Sequence, residues 1–324
     1  MISVVILTHR RRAALESVLA RLGEHQVDEI LVVDNGCDLP ELDRPGVRVL
    51  RPGRNLGVAG RNLAAREARG DLLLMLDDDS YPLPGAVETL ADVFRTRPRL
   101  GAAGGSVRDV DEHGRVLKET EVGTFDWFFR GGRPDAAPPE GVPAFFFPEG
   151  AAMVRRSALL DVGGFFEPYF FHAAEIDLTT RLLAGGWDVR YVPTARFEHL
   201  KDPGGRLALP GLLHLRVRNQ LWYFWIHFPA RLALSRSFAY LLFDLIECTY
   251  RGAPGAWASG IREAWVGRDV VRVHRRPLPR EILRRAELDR GRLHVRLLIQ
   301  QARLKMRKTA RRLLGPGRAP SRRP

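Results

Sequence analysis

The chain has 324 residues, a length that predicts about two domains. Hydrophobic residues make up 45% and charged residues 27% of it, which excludes an intrinsically disordered chain and a polytopic membrane protein. Its two cysteines, Cys37 and Cys248, are too few for a disulfide framework or a cysteine-rich zinc module.

The net charge of +13 is concentrated near the end of the chain. Residues 272–324 hold 18 Lys and Arg against three acids, whereas residues 1–271 hold 33 basic and 35 acidic side chains. A near-neutral body with a basic arm is typical of a tethered enzyme rather than of a nucleic-acid-binding protein. We therefore expect no nucleic acid as a partner.

Neither a signal peptide nor a membrane span is predicted. Ile2–Leu7 is apolar for six residues and runs into the basic His9–Arg12, and Asn219–Ala230 is apolar for 12. Roughly 18 apolar residues are needed to cross a bilayer. Because free thiols are expected, the predicted location is the cytoplasm, with peripheral attachment to the inner face of a membrane as a further option.

Short apolar runs alternate with helical patterns in about the first hundred residues. The runs predict strands over Ile2–Leu7, Ile30–Val33, Val47–Leu50 and Leu72–Leu76. Their nearly continuous apolar character is typical of a parallel sheet buried on both faces. Helices are predicted over Ala13–Leu22, Val58–Arg69 and Pro84–Arg97. This alternation indicates an α/β fold.

The later chain divides into further regions. Residues 101–148, rich in Gly, Pro and aromatics, predict short strands and a long loop. Order resumes after Ala151, with predicted helices at Ser157–Val162 and Ile176–Ala184 and a strand at Val189–Val192. Glycine and proline pairs then mark a boundary. The predicted domains are a nucleotide-binding domain over 1–205, a helical, partly amphipathic region over 206–271 and a basic helical tail over 272–324 with a disordered end.

Three consecutive carboxylates, Asp77, Asp78 and Asp79, follow a predicted buried strand. Adjacent charges there repel one another, and a divalent cation supplies the compensation, since hard oxygen ligands suit Mg²⁺ or Mn²⁺. Ligands of α/β proteins also bind at the carboxyl edge of the sheet. The alternative is a solvated turn before Pro82.

Two other segments have a nucleotide-binding and a purely structural interpretation. Asp34 ends the second predicted strand and could accept a hydrogen bond from a base or a ribose, or it could form an Asx turn. The segment Asn55–Asn62 opens a helix with small residues and Arg61, a pattern that suits an anionic ligand or close packing of helix on sheet.

Acidic residues also stand at a later helix start. Glu175 follows an aromatic and small-residue segment that could raise its pKa towards that of a general base. Asp177 precedes Arg181 by four residues, which predicts an ion pair and stabilisation of the helix start. His199, considered alone, is a structural histidine.

Taken in order, these segments resemble family 2 glycosyltransferases with the GT-A fold. The stretches that carry the resemblance are VVILTHRR, LVVDNG, NLGVAGRN, LLLMLDDDSYP, EGAAMVRRSALLDVGGF, FFHAAEIDLTTRLLAGGWDVRYVP and the following His199. They span about residues 2–200, and NLGVAGRN is similar to the rhamnosyltransferase-like branch. The resemblance implies a mostly parallel sheet flanked by helices, with a C-terminal helical extension.

The resemblance also implies an activity and residue roles. The reaction would be inverting transfer of a sugar from a nucleotide-diphosphate sugar to a hydroxyl of a glycan, lipid-linked or small-molecule acceptor, assisted by Mg²⁺ or Mn²⁺. The metal ligands would be Asp77, Asp79 and His199. Nucleotide contacts would come from Thr8, Arg10, Asp34, Asn55, Gly57, Arg61, Asp77 and Asp78. Glu175 would be the general base, and Gly150, Asp177, Arg181 and Trp187 would support the acceptor side.

The chain departs from the family pattern at one position. Where the family has two acids in E-D-x-D-L, this chain has Ala174 and then Glu175. One rival interpretation is therefore a catalytically decayed nucleotide-sugar-binding protein. Another is a sugar nucleotidyltransferase, which would need a glycine-rich loop after the first strand, and THRRR lacks the glycines.

The aromatic residues after the catalytic region allow two interpretations. Trp222, Tyr223, Trp225 and Phe228 could belong to an interfacial helix pair whose basic tail binds an anionic membrane surface, or to an ordinary helical core.

Overall fold

The structure is a computed structural model that describes residues 1–283 apart from 24, 26, 41, 43, 112, 121–137, 201–206 and 280. Most of the predicted basic tail and part of the predicted loop within 101–148 lie outside the described residues. The described chain forms two units. The first contains Met1–Arg206 and the second contains Leu207–Leu278.

The first unit is built on one sheet. Its described strands are β1 (Ile2–Thr8), β2 (Glu29–Asp34), β3 (Val47–Leu50), β4 (Leu72–Asp77), β5 (Ser80–Pro82), β6 (Leu100–Val110), β7 (Val116–Thr120), β8 (Val142–Pro143), β9 (Ala151–Arg155) and β10 (Asp188–Leu200). Its described α-helices are α1 (Arg12–Leu22), α2 (Gly60–Glu67), α3 (Ala86–Thr96), α4 (Arg156–Asp161) and α5 (Ala174–Ala184). Short 3₁₀ turns lie at Gly57–Ala59 and Glu167–Tyr169.

The strand order is β3-β2-β1-β4-β9-β6-β10-β5, with β7 beside β6 and β8 beside β10. Strands β1 to β4 pair in parallel, and β9 runs antiparallel between β4 and β6. Strand β10 is parallel to β6. The sheet is mixed: among the described strands, β1 to β4, β6 and β10 run in one direction and the others in the opposite direction. The helices on this sheet confirm the predicted α/β fold class. Because Thr8 pairs with Asp34 and Leu7 with Asp77, these strand ends meet at one edge.

Helices cover both faces of the sheet because consecutive side chains of the central strands are apolar and point to opposite faces. Val5 packs with α2, α4 and α5 on one face, whereas Val4 and Ile6 pack with α1 and α3 on the other. All three side chains are fully buried. Burying such a side chain contributes about 1.5–3 kcal/mol relative to leaving it exposed. The helices packed on the two faces bury the middle of each central strand, and the polar residues at the strand ends remain at the edge of the sheet.

The second unit is helical. It consists of α6 (Leu209–His227), α7 (Ala230–Tyr250), α8 (Pro254–Val266) and α9 (Arg268–His274). Tyr223 and Phe228 contact each other edge to face, and the indole of Trp222 donates a hydrogen bond of 3.1 Å to the carbonyl of Ala264. The aromatic residues singled out from the sequence therefore fit the core alternative. Within the described chain, no helix has the length and apolar character that a membrane span requires.

Candidate active site

The three consecutive aspartates lie where β4 ends and turns into β5. Thr8, at the end of β1, donates a hydrogen bond of 2.7 Å from Oγ1 to Asp78 Oδ2. Asp78 and Asp79 are buried, and Asp77 is partly exposed, with 41% of its side chain accessible. The carboxyl edge of the sheet therefore brings the predicted Thr8 and the aspartates together.

Arg11 neutralises two of these carboxylates. Its Nη1 lies 2.5 Å from Asp78 Oδ1 and 2.9 Å from Asp79 Oδ2. Burial nevertheless raises the pKa of Asp78 to about 6, against the opposing effects of Thr8 and Arg11. The sequence interpretation missed Arg11 and selected Arg10, which is exposed and has a left-handed backbone with φ 57°. The run of three arginines was the available signal, but it does not say which of them turns inward.

His199 joins the aspartates from β10. Its Nε2 lies 3.2 Å from Asp79 Oδ1, and its Nδ1 lies 2.9 Å from Asp109 Oδ1 on β6. Burial raises the pKa of Asp79, but the stronger combined effect of His199 and Arg11 lowers it to about 2. Asp109 orients the ring, as carboxylates commonly do for metal-binding histidines. The sequence interpretation did not select Asp109, because strand register alone pairs it with His199.

The donor atoms of Asp79 and His199 suit one divalent ion. Two neighbouring ligands of an octahedral Mg²⁺, each about 2.1 Å away, are about 3 Å apart, close to the 3.2 Å between His199 Nε2 and Asp79 Oδ1. Over the described ranges, however, no three or more His, Cys, Asp and Glu side chains form a complete metal cluster. Asp79 and His199 could therefore supply two of the ligands of a divalent ion, and the remaining ligands would come from elsewhere.

A buried ion pair flanks Asp77. Arg61 on α2 is fully buried, and its Nη2 lies 2.6 Å from Asp77 Oδ1 while its Nη1 lies 3.5 Å from Glu149 Oε2. Burial raises the pKa of Glu149 well above its ordinary value, and the charges of Glu175 and Asp77 raise it further against the effect of Arg61. Glu149 was missed from the sequence, although it is a lone acid in the apolar run Phe145–Ala151.

Glu175 lies in the first turn of α5 and is half-buried. Burial raises the pKa of its carboxyl, whereas a bond from its own backbone N–H and the charge of Arg61 lower it. The charge of Asp77 raises the pKa further. Glu175, Arg61 and Asp77, from three separate elements, are therefore electrostatically linked.

The segment before Glu175 is held in an uncommon backbone conformation. Phe170, His172 and Ala173 have φ of 61°, 57° and 66°, and such left-handed backbone is costly for residues other than glycine. The carbonyl of Phe170 accepts a hydrogen bond of 2.8 Å from the Val58 N–H. A Cβ on Gly57 would come 1.9 Å from that carbonyl oxygen, so only glycine allows this close approach.

The geometry favours the packing interpretation for Asn55 and Gly57. The Gly57 N–H donates to Asn55 Oδ1 at 2.9 Å, and the next amide, of Val58, donates to Phe170. These backbone donors are satisfied within the protein, which removes the reason for predicting that they bind an anion. Asp34 is likewise buried and accepts hydrogen bonds from the backbone N–H groups of Gly36 and Leu39, as in an Asx turn.

The residues predicted for the acceptor side have different surroundings. A Cβ on Gly150 would come 2.4 Å from Asp77 Oδ2, so this glycine lies against the aspartates. The predicted ion pair of Asp177 and Arg181 is confirmed at 2.5 Å, and Arg181 also donates to the carbonyls of Val162 and Gly164. That pair therefore braces a loop.

Trp187 lies apart from the other residues predicted for the acceptor side. Trp187 immediately precedes β10, and Asp188 pairs with Leu100 at the start of the parallel strand β6. Trp187 therefore lies at the amino edge of the sheet, opposite the aspartates, and packs against the core. A tryptophan in a glycine-flanked turn carries no sequence signal that tells these two edges apart.

Comparisons with known proteins agree with this fold. Residues 3–163 match the model of glycosyl transferase family 2. The chain is 31% identical, over 74% of its own length and 91% of the relative's, to the N-acetylglucosaminyl-diphospho-decaprenol L-rhamnosyltransferase of Mycobacterium tuberculosis.

Two solved structures share the fold. One is GalNAc-T7 with UDP, GalNAc and Mn²⁺, with a TM-score of 0.58 and 14% identity, covering 75% of this chain and 51% of that one. The other is the mannosyltransferase PcManGT of Pyrobaculum calidifontis with GDP-Man and Mn²⁺, with a TM-score of 0.50 and 15% identity, covering 96% of this chain and 86% of that one.

The fold is of the GT-A type, and the sequence matches define a glycosyltransferase. The chain belongs to glycosyl transferase family 2.

Proposed function

We propose that this glycosyltransferase transfers a sugar, with inversion, from a nucleotide-diphosphate sugar to a hydroxyl of a lipid-linked or other glycan acceptor. The observation that carries the proposal is the ion pair of Arg61 Nη2 and Asp77 Oδ1, 2.6 Å apart at the carboxyl edge of the sheet. The charges of both residues also act on the carboxyl of Glu175. A base, a cation and a carboxylate at one edge supply the groups that such a displacement needs.

Donor binding would use the polar strand ends. Arg61 and the exposed Arg10 are cations suited to a nucleotide diphosphate, and Thr8 and Asp78 form the adjoining wall. Asp34, Asn55 and Gly57 would shape the neighbouring turns. A divalent ion, Mg²⁺ or Mn²⁺, would be held by Asp79, His199 and Asp77. When bound, such an ion neutralises charge on the departing diphosphate.

The protein residues divide the remaining chemistry between them. Glu175 would accept the proton of the acceptor hydroxyl while that oxygen attacks the anomeric carbon. Arg61 would stabilise negative charge as the bond to the diphosphate breaks. One displacement from the face opposite the leaving group inverts the anomeric centre. No covalent bond between sugar and protein is required.

The raised pKa of Glu175 supports an active enzyme over a decayed binding protein. A carboxylate with a raised pKa is a stronger base than a carboxylate with an ordinary pKa. Its side chain is also long enough to serve where Ala174 replaces the family's other acid. The lipid-linked acceptor rests on the named Mycobacterium tuberculosis relative, whose name contains a decaprenol. Such an acceptor would place the enzyme at the cytoplasmic face of a membrane, in cell-envelope polysaccharide synthesis.

Donor binding is expected to depend on a divalent ion. Screening a panel of nucleotide-diphosphate sugars by thermal unfolding should reveal a donor that raises Tm with MgCl₂ or MnCl₂ and not with EDTA. A ligand at 100 times its Kd stabilises a protein by about 2.7 kcal/mol. Asp79→Asn should remove the shift, because Asp79 would be a ligand.

Asp111→Asn is the matched control for this screen. Asp111 lies just beyond β6 and pairs with the exposed Arg115. Its replacement should leave the metal-dependent shift in place. Equal stabilisation by the donor in EDTA and in MgCl₂ would contradict the metal proposal.

As the pH is lowered, activity should begin to decline at a higher pH than it would if the base were a glutamate with an ordinary pKa. The base must be unprotonated, and the pKa of Glu175 lies above the ordinary 4.5. As pH decreases through that raised pKa, kcat/KM should therefore decline. A profile of kcat/KM against pH at constant ionic strength measures this, and full activity maintained down to about pH 4.5 would contradict it.

A further inference from the structure

The outward face of α7 carries a row of large apolar side chains. Leu234, Phe238, Leu242 and Leu245 are 63%, 74%, 55% and 37% exposed. Their spacing of four, four and three residues places them on one side of the helix. The row extends about 16 Å along the helix axis. Contiguous exposed apolar surface of this kind marks an interaction site.

The acids of α7 are turned away from this row. Asp244 is buried and lies 2.9 Å from Arg216, and Glu247 is buried and lies 2.6 Å from Arg251. Helix α7 is described in full, and its exposed residues include Arg231 and no acid. The exposed face is therefore apolar, with a cation at one end.

We propose that this face of α7 lies in the headgroup region of an anionic lipid bilayer, parallel to the membrane surface. Helices with one apolar face and a cationic border bind there without crossing. The proposal concerns an attachment surface and does not depend on the transfer reaction.

Charge favours a bilayer over a second copy of the chain. Residues 272–324, which begin within α9, hold 18 Lys and Arg against three acids. Each copy in a dimer would carry such a segment, and like charges repel. An anionic surface attracts the same segment, at about 1 kcal/mol for each Lys or Arg near the surface.

The apolar contribution can be measured separately from the charge. Burial of one leucine or phenylalanine side chain in the bilayer raises the partition coefficient of the protein from water to membrane about tenfold. An aspartate in its place adds a charge that the anionic surface repels. Leu242→Asp should therefore lower binding by more than about tenfold. The Trp222 and Phe228 side chains are buried, so they do not supply this contribution.

The test is flotation of the full-length protein with two kinds of vesicle. Wild type should float with vesicles of phosphatidylglycerol and phosphatidylcholine, and much less with phosphatidylcholine alone. Leu242→Asp should stay at the bottom of the gradient. Leu117→Asp is the matched control, because Leu117 lies on β7 and is 57% exposed. The Leu117→Asp variant should bind vesicles like wild type.

Three further measurements make the result decisive. Thermal unfolding and nucleotide-sugar binding should be the same in both variants, which shows that they fold. Equal flotation of wild type and Leu242→Asp would overturn the proposal, since the basic segment alone would then account for binding. A dimer of wild type that becomes monomeric in Leu242→Asp, without a change in flotation, would assign the face to a second copy instead.

Discussion

Replacing Glu175 by glutamine is expected to lower kcat by about 10²–10⁴-fold, the usual contribution of a general base. Glutamine keeps the size of the side chain but cannot accept the proton of the acceptor hydroxyl. Donor affinity should not change, because Glu175 would act on the acceptor. Turnover of a donor and acceptor pair, together with calorimetric titration of the donor, measures the two effects separately.

Glu149→Gln is the control that identifies the base. Glu149 is also a buried acid with a raised pKa, and it also interacts with Arg61. If Glu175 is the base, Glu149→Gln should keep most of the turnover. Loss of turnover in Glu149→Gln together with normal turnover in Glu175→Gln would transfer the role to Glu149. Normal turnover in both variants would refute both glutamates as the base.

Arg61→Met should destabilise the first unit by about 3–5 kcal/mol, the usual cost of removing one partner from a buried ion pair. Arg61 is fully buried, and its loss leaves Glu149 without a nearby cation. Protonation of Glu149 relieves part of this cost. Without Arg61 the folded-state pKa of Glu149 rises further, so the destabilisation should shrink as pH falls. Urea unfolding at pH 7.5 and about pH 5 measures both effects.

Two variants test this account of Arg61. The double replacement Arg61→Met with Glu149→Gln should be more stable than Arg61→Met alone, because the buried carboxylate beside Arg61 is removed and its other partner, Asp77, is partly exposed. Arg12→Met removes an exposed pair with Glu16 and should cost less than about 1 kcal/mol. If Arg61→Met and Arg12→Met are equally mild, the buried pair does not stabilise the fold.

The sequence predicted the sheet edge well because its signal is local. Leu72–Leu76 is an apolar run, and β4 ends at Asp77, directly after it. The same holds for Thr8 and Asp34, which end β1 and β2. Strand periodicity and the rule that ligands bind at carboxyl edges were sufficient to expect these groups together.

The partners of these residues could not be predicted because they are distant in sequence. Glu149, in the segment before β9, contacts Arg61 of α2 only in the folded chain, and Asp109 reaches His199 through strand register. Arg11 was missed because the left-handed backbone of Arg10 decides which arginine turns inward. No local periodicity carries this information.

The helices of the second unit show a different limit of prediction from sequence. Its helices α6 and α7 are apolar on more than one side, so periodicity does not say which side another helix covers. The Trp222 cluster is buried, whereas the Leu234 and Phe238 row is exposed. The buried Asp244 and Glu247 add to this difficulty, because each acid is paired with an arginine and lies on the inner side.

The bonds of Arg11 to Asp78 and Asp79 have a consequence for ion uptake. The Arg11 side chain already acts as the counter-ion of these carboxylates, and the fold holds it beside them. A cation that takes Asp78 Oδ1 or Asp79 Oδ2 must displace the Arg11 guanidinium, whereas Asp79 Oδ1 faces His199. A divalent ion at this edge is therefore added beside a positive charge that the chain already supplies, and its affinity will respond to changes in the segment that holds Arg11.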